Sequence, residues 1–200
     1  MKKTSFNAGW TCNGAPVTLP HDAMLHAGRS PKAPSGSAGA YFEGGRYVYE
    51  KSFPRPDAEH VLLQFEGVYK NARVFINGQE AGGAPYGYIP FFVDADPYLA
   101  EGENTVHVEC DNAGQPDSRW YSGAGIYRPV WLWTGPKDSI APESVRVSTV
   151  SCDPAIIRVQ SETPVTFTAA GVSGAGTDFQ LTIPEAKLWS DAAPRDAFLE

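Results

Sequence analysis

Arg119-Trp120-Tyr121-Ser122-Gly123-Ala124-Gly125-Ile126-Tyr127-Arg128-Pro129-Val130-Trp131-Leu132 decides how this chain reads: an aromatic run broken by glycines that leads straight into an apolar strand. Gly123 and Gly125 allow backbone angles and close approaches that a Cβ forbids, so Trp120, Tyr121 and Tyr127 are expected to pack around a tight reversal. Upstream, Thr105-Val106-His107-Val108-Glu109-Cys110 alternates with period two. That pattern turns Val106, Val108 and Cys110 inward and His107 outward, which makes His107 a solvated strand residue rather than a catalytic base. Val61 to Glu66 and Arg73 to Ile76 read as short strands, and Asn77-Gly78 supplies the two positive-φ positions of a type I′ turn, with the chain returning through Gln79-Glu80-Ala81.

Composition agrees with an all-β chain. Twenty Gly and 17 Pro punctuate strands, while 10 Phe, 9 Tyr and 5 Trp supply rings to fill the space between sheets. A net charge of −7 with scattered Lys and Arg argues against a nucleic-acid partner. No run of 18 apolar residues exists, so no membrane span is expected. Met1 to Ala8 has two lysines but no apolar run behind them, so no signal peptide is visible and a cytoplasmic location is the expectation. Cys12, Cys110 and Cys152 have no metal-ligand spacing and read as reduced thiols. Neither a cofactor nor a metal is expected.

Gly135-Pro136-Lys137-Asp138 ends the strand that the opening stretch enters and reads as a connection between domains 1–137 and 138–200. From Glu143 onward aromatics thin out, and Val145 to Ser148, Ile156 to Val159, Val165 to Thr168 and Phe179 to Ile183 read as four alternating strands at sandwich-like spacing. Only about ten residues follow Lys187-Leu188-Trp189-Ser190, against roughly 100 for a full immunoglobulin-type domain, so the second domain reads as incomplete. Ala27 to Gly39, rich in Ser, Gly, Ala and Pro, is expected to be a mobile loop unless neighbouring domains or a second subunit hold it.

The opening stretch resembles the signature of glycoside hydrolase family 2, the β-galactosidase/β-glucuronidase family. Leu19-Pro20-His21-Asp22, Tyr47 to Phe53, Phe65-Glu66-Gly67-Val68-Tyr69-Lys70-Asn71-Ala72, Ile76-Asn77-Gly78 and Tyr86-Gly87-Tyr88-Ile89-Pro90-Phe91 follow in the order and rough spacing of that family. Leu99 to Asn104 and Val108 to Asn112 resemble its late turn and strand, and the resemblance covers residues 5 to 137 most fully. It implies a galactose-binding-domain-like jelly-roll β-sandwich followed by a partial immunoglobulin-like β-sandwich, with one edge of the jelly roll reaching the active site of a downstream barrel. The family carries its two catalytic carboxylates on that (β/α)₈ barrel, which needs roughly 250 residues of alternating strand and helix. Nothing in this chain resembles it, so no catalytic residue is assigned here and the chain alone is expected to be inactive.

The resemblance also implies a sugar-facing carboxylate or amide shortly before the glycine turn. Asp117 is the nearest match, although its spacing to Gly125 is about two residues longer than in relatives; the alternative is a turn-forming Asp. Asp111 and Asn112, at a strand end, are the runners-up. Trp120 and Tyr121 suit stacking on a pyranose face, or packing in a core or domain interface. Arg128 is expected to pair with a carboxylate across a domain interface, and His21-Asp22 to lock a loop by hydrogen bonding. The partner read from these residues is a carbohydrate, a β-galactoside or related glycoside, together with the chain's own downstream barrel; homo-oligomerisation is left open. A stand-alone carbohydrate-binding module, and plain structural packing, are the competing readings.

Overall fold

A computed structural model of the 200-residue chain describes residues 1–191. The chain divides into two compact units, Met1–Asp138 and Ser139–Glu200. The first holds ten strands: β1 (Lys2–Ser5), β2 (Trp10–Cys12), β3 (Ala15–Val17), β4 (Arg46–Pro54), β5 (His60–Phe65), β6 (Ala72–Ile76), β7 (Gln79–Ala84), β8 (Phe91–Asp94), β9 (Glu103–Asp111) and β10 (Val130–Gly135). They form two antiparallel sheets, ordered β1-β10-β5-β8 and β3-β2-β4-β9-β6-β7.

The alternation read from the sequence explains why the sheets face each other. In β9, Asn104, Val106, Val108 and Cys110 are buried while His107 and Glu109 turn outward. His107 lies 3.2 Å from Glu50 on β4 and edge-on to the Phe75 ring. Between the sheets, Trp10, Tyr49, Phe53, Val74, Ile76, Val106 and Val108 meet Val61, Leu63, Phe65, Val93 and Val130 in one core. Each large side chain so buried contributes about 1.5–3 kcal/mol, which holds a closed sandwich against the entropy of its loops. The all-β jelly roll expected from the sequence is therefore present.

Strand directions give the sandwich two ends. β9 runs from Glu103 to Asp111 against β4, with Pro54 opposite Glu103 and Arg46 opposite Asp111. At the Asp111 end gather the connections 18–45, 66–71, 85–90 and 112–129; at the Glu103 end lie 55–59, the Asn77-Gly78 turn and 95–102. Asn77 and Gly78 take φ of 50° and 79°, as the hairpin reading requires, and β7 returns from it. That end is organised by Asn104, fully buried at a position that reads as an ordinary turn. Its Oδ1 accepts from Ala100 N (2.8 Å) and Asn77 Nδ2 (2.7 Å), and its Nδ2 donates to the carbonyls of Ala100 and Gly102 (both 3.1 Å).

Two expectations need correction. Ala27 to Gly39 is not a loose loop: Arg29 bridges to Phe42, Arg29 Nε donates to the Ala40 carbonyl (2.9 Å), and Ser35, 2% exposed, donates to the Phe42 carbonyl (2.6 Å). Backbone and side-chain hydrogen bonds supply the order that its poor apolar content does not. In the second unit the described residues form three strands where the sequence suggests four: β11 (Val145–Cys152), β12 (Ala155–Ala169) and β13 (Val172–Thr182), ordered β11-β12-β13. The two middle segments of the sequence reading are one strand with a register shift between Gln160 and Val165, and Pro164 is accommodated in that irregularity. Val159, Val165, Ala169 and Leu181 are its buried apolar residues among those described.

Candidate functional site

At the Asp111 end, the glycine turn is held where its neighbours leave no alternative. Gly125 adopts φ +100°, and a Cβ there would stand 2.1 Å from the Tyr49 hydroxyl. Its backbone pairs with Tyr69 in both directions (Gly125 N to Tyr69 O 2.8 Å, Tyr69 N to Gly125 O 2.9 Å), fixing the 112–129 connection to the 66–71 connection. Gly123, at φ +70°, sits against the Asp22 carboxylate.

Asp22 is the hub of one half of this end. Its Oδ1 accepts from Met24 N (3.0 Å) and Ala124 N (3.1 Å), while its Oδ2 accepts from the Tyr121 hydroxyl (2.7 Å). His21 Nδ1 lies 2.8 Å from the Tyr49 hydroxyl, and its backbone N donates to Ile126 O (2.9 Å). The pair thus does what the sequence reading asked of it and locks a loop. Burial, then the neighbouring His26, lowers the His21 pKa, with Asp22 opposing; the two imidazoles stack at 5.1 Å. Asn112 is wholly buried and donates to Gly123 O (2.7 Å), so it is part of the same frame rather than a group that meets a ligand. Asp111 pairs with Arg46 (2.8 Å), which helps to hold its carboxyl below the usual range behind the larger effect of the Ala113 N–H.

The other half is aromatic. Tyr69, Tyr86, Tyr88 and Tyr127 form a chain of ring contacts: Tyr69–Tyr88 at 5.2 Å, Tyr86–Tyr88 at 5.5 Å and Tyr88–Tyr127 at 6.5 Å. Gly87 makes that possible, since a Cβ there would come within 2.4 Å of the Tyr69 ring. Asp117 sits beside them: its Oδ2 accepts from the Tyr69 hydroxyl (3.0 Å) and is 2.5 Å from Lys70 Nζ, with 13% of its side chain exposed. Burial first, and then the bond to Asp117, pushes the Tyr69 phenol well above its ordinary pKa, so it remains a donor. Trp120 is 59% exposed and its Nε1 donates to the Tyr88 hydroxyl (3.1 Å).

Asp117 and Trp120 are thus brought onto one aromatic rim. Tyr121 lies in the Asp22 half, its hydroxyl committed to that carboxylate and its ring 5.2 Å from Phe42. Arg128 forms no ion pair among the described residues; its guanidinium stands 5.3 Å from the Tyr127 ring and its stem fills the space over Gly67. The sequence reading missed Lys70 and Tyr69 as partners of Asp117, which are 47 and 48 residues away in the chain. The available signal was the tyrosines of two motifs already singled out, Tyr69 and the Tyr86-Gly87-Tyr88 pair, whose rings meet here. Chemically, the rim offers a partly exposed carboxylate already oriented by two donors, an indole edge and face, and several phenol hydroxyls. Such a surface binds hydroxyl-bearing ligands by acceptor bonds and ring stacking.

The comparisons with known proteins agree with this layout. Residues 38–136 match the family described as "Glycosyl hydrolases family 2, sugar binding domain". The chain carries that family's sugar binding domain. It is similar to the β-galactosidase BoGH2A of Bacteroides ovatus, 50% identical over 125 residues, a match covering 60% of this chain and 15% of that protein. A putative β-glucuronidase of Formosa agariphila is 32% identical over 202 residues, covering 89% of this chain and 20% of the other. Among solved structures, a β-glycosidase from Bacteroides vulgatus superposes with a TM-score of 0.75 at 25% identity, covering 96% of this chain and 30% of that one. The chain therefore spans between 15% and 30% of the length of these relatives. No helix among the described residues is long and apolar enough to cross a membrane.

Proposed function

We propose that this chain is the non-catalytic amino-terminal portion of a family 2 glycoside hydrolase of β-galactosidase-like activity, a scaffold that lends one edge of its jelly roll to a carbohydrate site completed by a downstream catalytic barrel. The observation that carries this is the rim at the Asp111 end, where Asp117 and Trp120 stand partly exposed on a frame built from the family's own signature turn. Asp117 would accept a sugar hydroxyl, Trp120 would stack on the ring, and Tyr121, with its hydroxyl already given to Asp22, would offer only its ring. In this reading the second unit is an immunoglobulin-like module joined at 137/138. Neither a cofactor nor a nucleic acid enters the scheme.

The test is Asp117→Asn in the protein that includes the barrel. Loss of a charge-assisted hydrogen bond that tightens in the transition state should lower kcat/KM by about 10–100-fold, or about 1.5–3 kcal/mol, while loss of the Lys70 ion pair lowers the melting temperature modestly. Unchanged kinetics would leave this end a scaffold only. The 200-residue chain by itself should leave chromogenic galactosides, glucuronides and mannosides untouched and bind free galactose no tighter than about 1 mM, roughly −4 kcal/mol. Micromolar binding by calorimetry would favour a stand-alone binding module instead.

A further inference from the structure

The Glu103 end holds a group of side chains that the sugar site does not use. His60 opens β5, Asp94 closes β8 beside Leu62, and Asp96 opens the short 3₁₀ turn Asp96–Tyr98 that follows. One donor atom from each of the three lies within 4.8 Å of the others. The His60 Nε2 atom is buried and has no hydrogen-bond partner. Both carboxylates are fixed from behind: Asp94 Oδ1 accepts from Asp96 N (3.0 Å) and Asp96 Oδ1 from Val61 N (2.7 Å), which leaves the second oxygen of each for another ligand. Neither carboxylate takes part in an ion pair among the described residues; the nearby Arg55 is turned to Glu101 (3.6 Å) and to the Leu99 carbonyl (3.0 Å).

A buried ring nitrogen with no partner is unfavourable, and beside it stand the half-buried Asp96 and the exposed Asp94 with like charge, so one divalent cation would satisfy the nitrogen and neutralise the pair. We propose that His60, Asp94 and Asp96 form a site for a divalent transition metal of the zinc class, a clamp between the start of β5 and the end of β8. The donor set selects the metal: imidazole with two carboxylates suits Zn²⁺, with water as a fourth ligand, whereas Ca²⁺ and Mg²⁺ prefer oxygen alone. Donors around a tetrahedral zinc stand about 3.3 Å apart, so the three would draw in from their present spacing of up to 4.8 Å on binding. The site lies at the opposite end from Asp117 and does not depend on the sugar-site reading.

The experiment uses the 200-residue chain without an affinity tag, stripped of metal with chelator. One equivalent of Zn²⁺ should bind by calorimetry and, at about 100 times the dissociation constant, raise the melting temperature by about 4 °C or more; Co²⁺ should give visible d–d absorption. Equal concentrations of Mg²⁺ or Ca²⁺ should do neither. His60→Gln and Asp96→Asn, the second of which keeps an acceptor for Val61 N, should each abolish the response, while the His21→Gln/His26→Gln double variant should retain it. In the unaltered chain, Zn²⁺ should shift the His60 ring resonances first. Absence of one-to-one Zn²⁺ binding, a response that survives both His60→Gln and Asp96→Asn, or one lost with His21 and His26 would overturn the assignment.

Discussion

The two ends of the sandwich solve the same problem, closing a β-sandwich with loops, in opposite ways. At the Glu103 end the Asn77-Gly78 turn and the 95–102 loop are tied by one buried amide, Asn104, acting almost entirely on backbone. At the Asp111 end, long connections are tied by side chains from distant segments: Asp22 to Tyr121 and Ala124, Tyr69 and Lys70 to Asp117, Gly125 to Tyr69. Backbone-centred closure leaves the Glu103 end with a compact donor group, His60, Asp94 and Asp96. Side-chain closure leaves hydroxyls, a carboxylate and rings at the rim, which is why the sugar-binding proposal belongs to one end and not the other.

That contrast breaks most readily at Gly125. Replacing it by Ala should destabilise the protein by about 3 kcal/mol or more, because a left-handed φ and a blocked Cβ position add together. Gly114, in the same connection but with open space around its Cβ position, should tolerate Ala within about 0.5 kcal/mol. Calorimetry on both variants settles it; equal melting temperatures would mean the signature turn is not the keystone of that end. Asn104→Ala should come next, at about 2–3 kcal/mol from four lost hydrogen bonds, and should spare any sugar contact at the far end. If instead it altered ligand contacts at the Asp117 rim, the ends would be coupled rather than independent. The smallest effect concerns pH. His21 has a lowered pKa in the folded protein, so the stabilisation from its neutral form is complete above the unfolded value of about 6.5 and is lost as pH falls below it. Melting temperatures between pH 7.5 and 5.5 should fall more for the unaltered chain than for His21→Gln, and parallel curves would remove His21 from the account.

The sequence was most legible where local rules govern. β9, the Asn77-Gly78 reversal and the need for glycine at 125 follow from period-two alternation, turn chemistry and backbone sterics, and each is present as read. It was least legible where a side chain answers to a partner far along the chain. Asn104 looked like a turn residue because its two roles, capping the 99–104 loop and gripping Asn77, are apparent only once β6 and β9 lie side by side. Lys70 passed as one letter of a motif, since nothing local says that its ammonium meets a carboxylate 47 residues on. The single long β12 was split in two because Pro164 and the polar Gln160 to Thr163 read as a break, whereas a register shift lets the strand continue.

The pairing of β1 with β10 has a consequence for how this protein is made. Lys2 to Ser5 are synthesised more than 120 residues ahead of their hydrogen-bonding partners, Trp131 to Thr134, which are among the last of the first unit. At about 5–20 residues per second, the opening strand waits roughly 6–26 s for its neighbour to be synthesised. During that interval β5 also lacks β10, the strand that separates it from β1, and its exposed edge is open to other chains. Nascent chains stalled before residue 130 should therefore be the ones that associate with chaperones, and release past residue 135 should end that association.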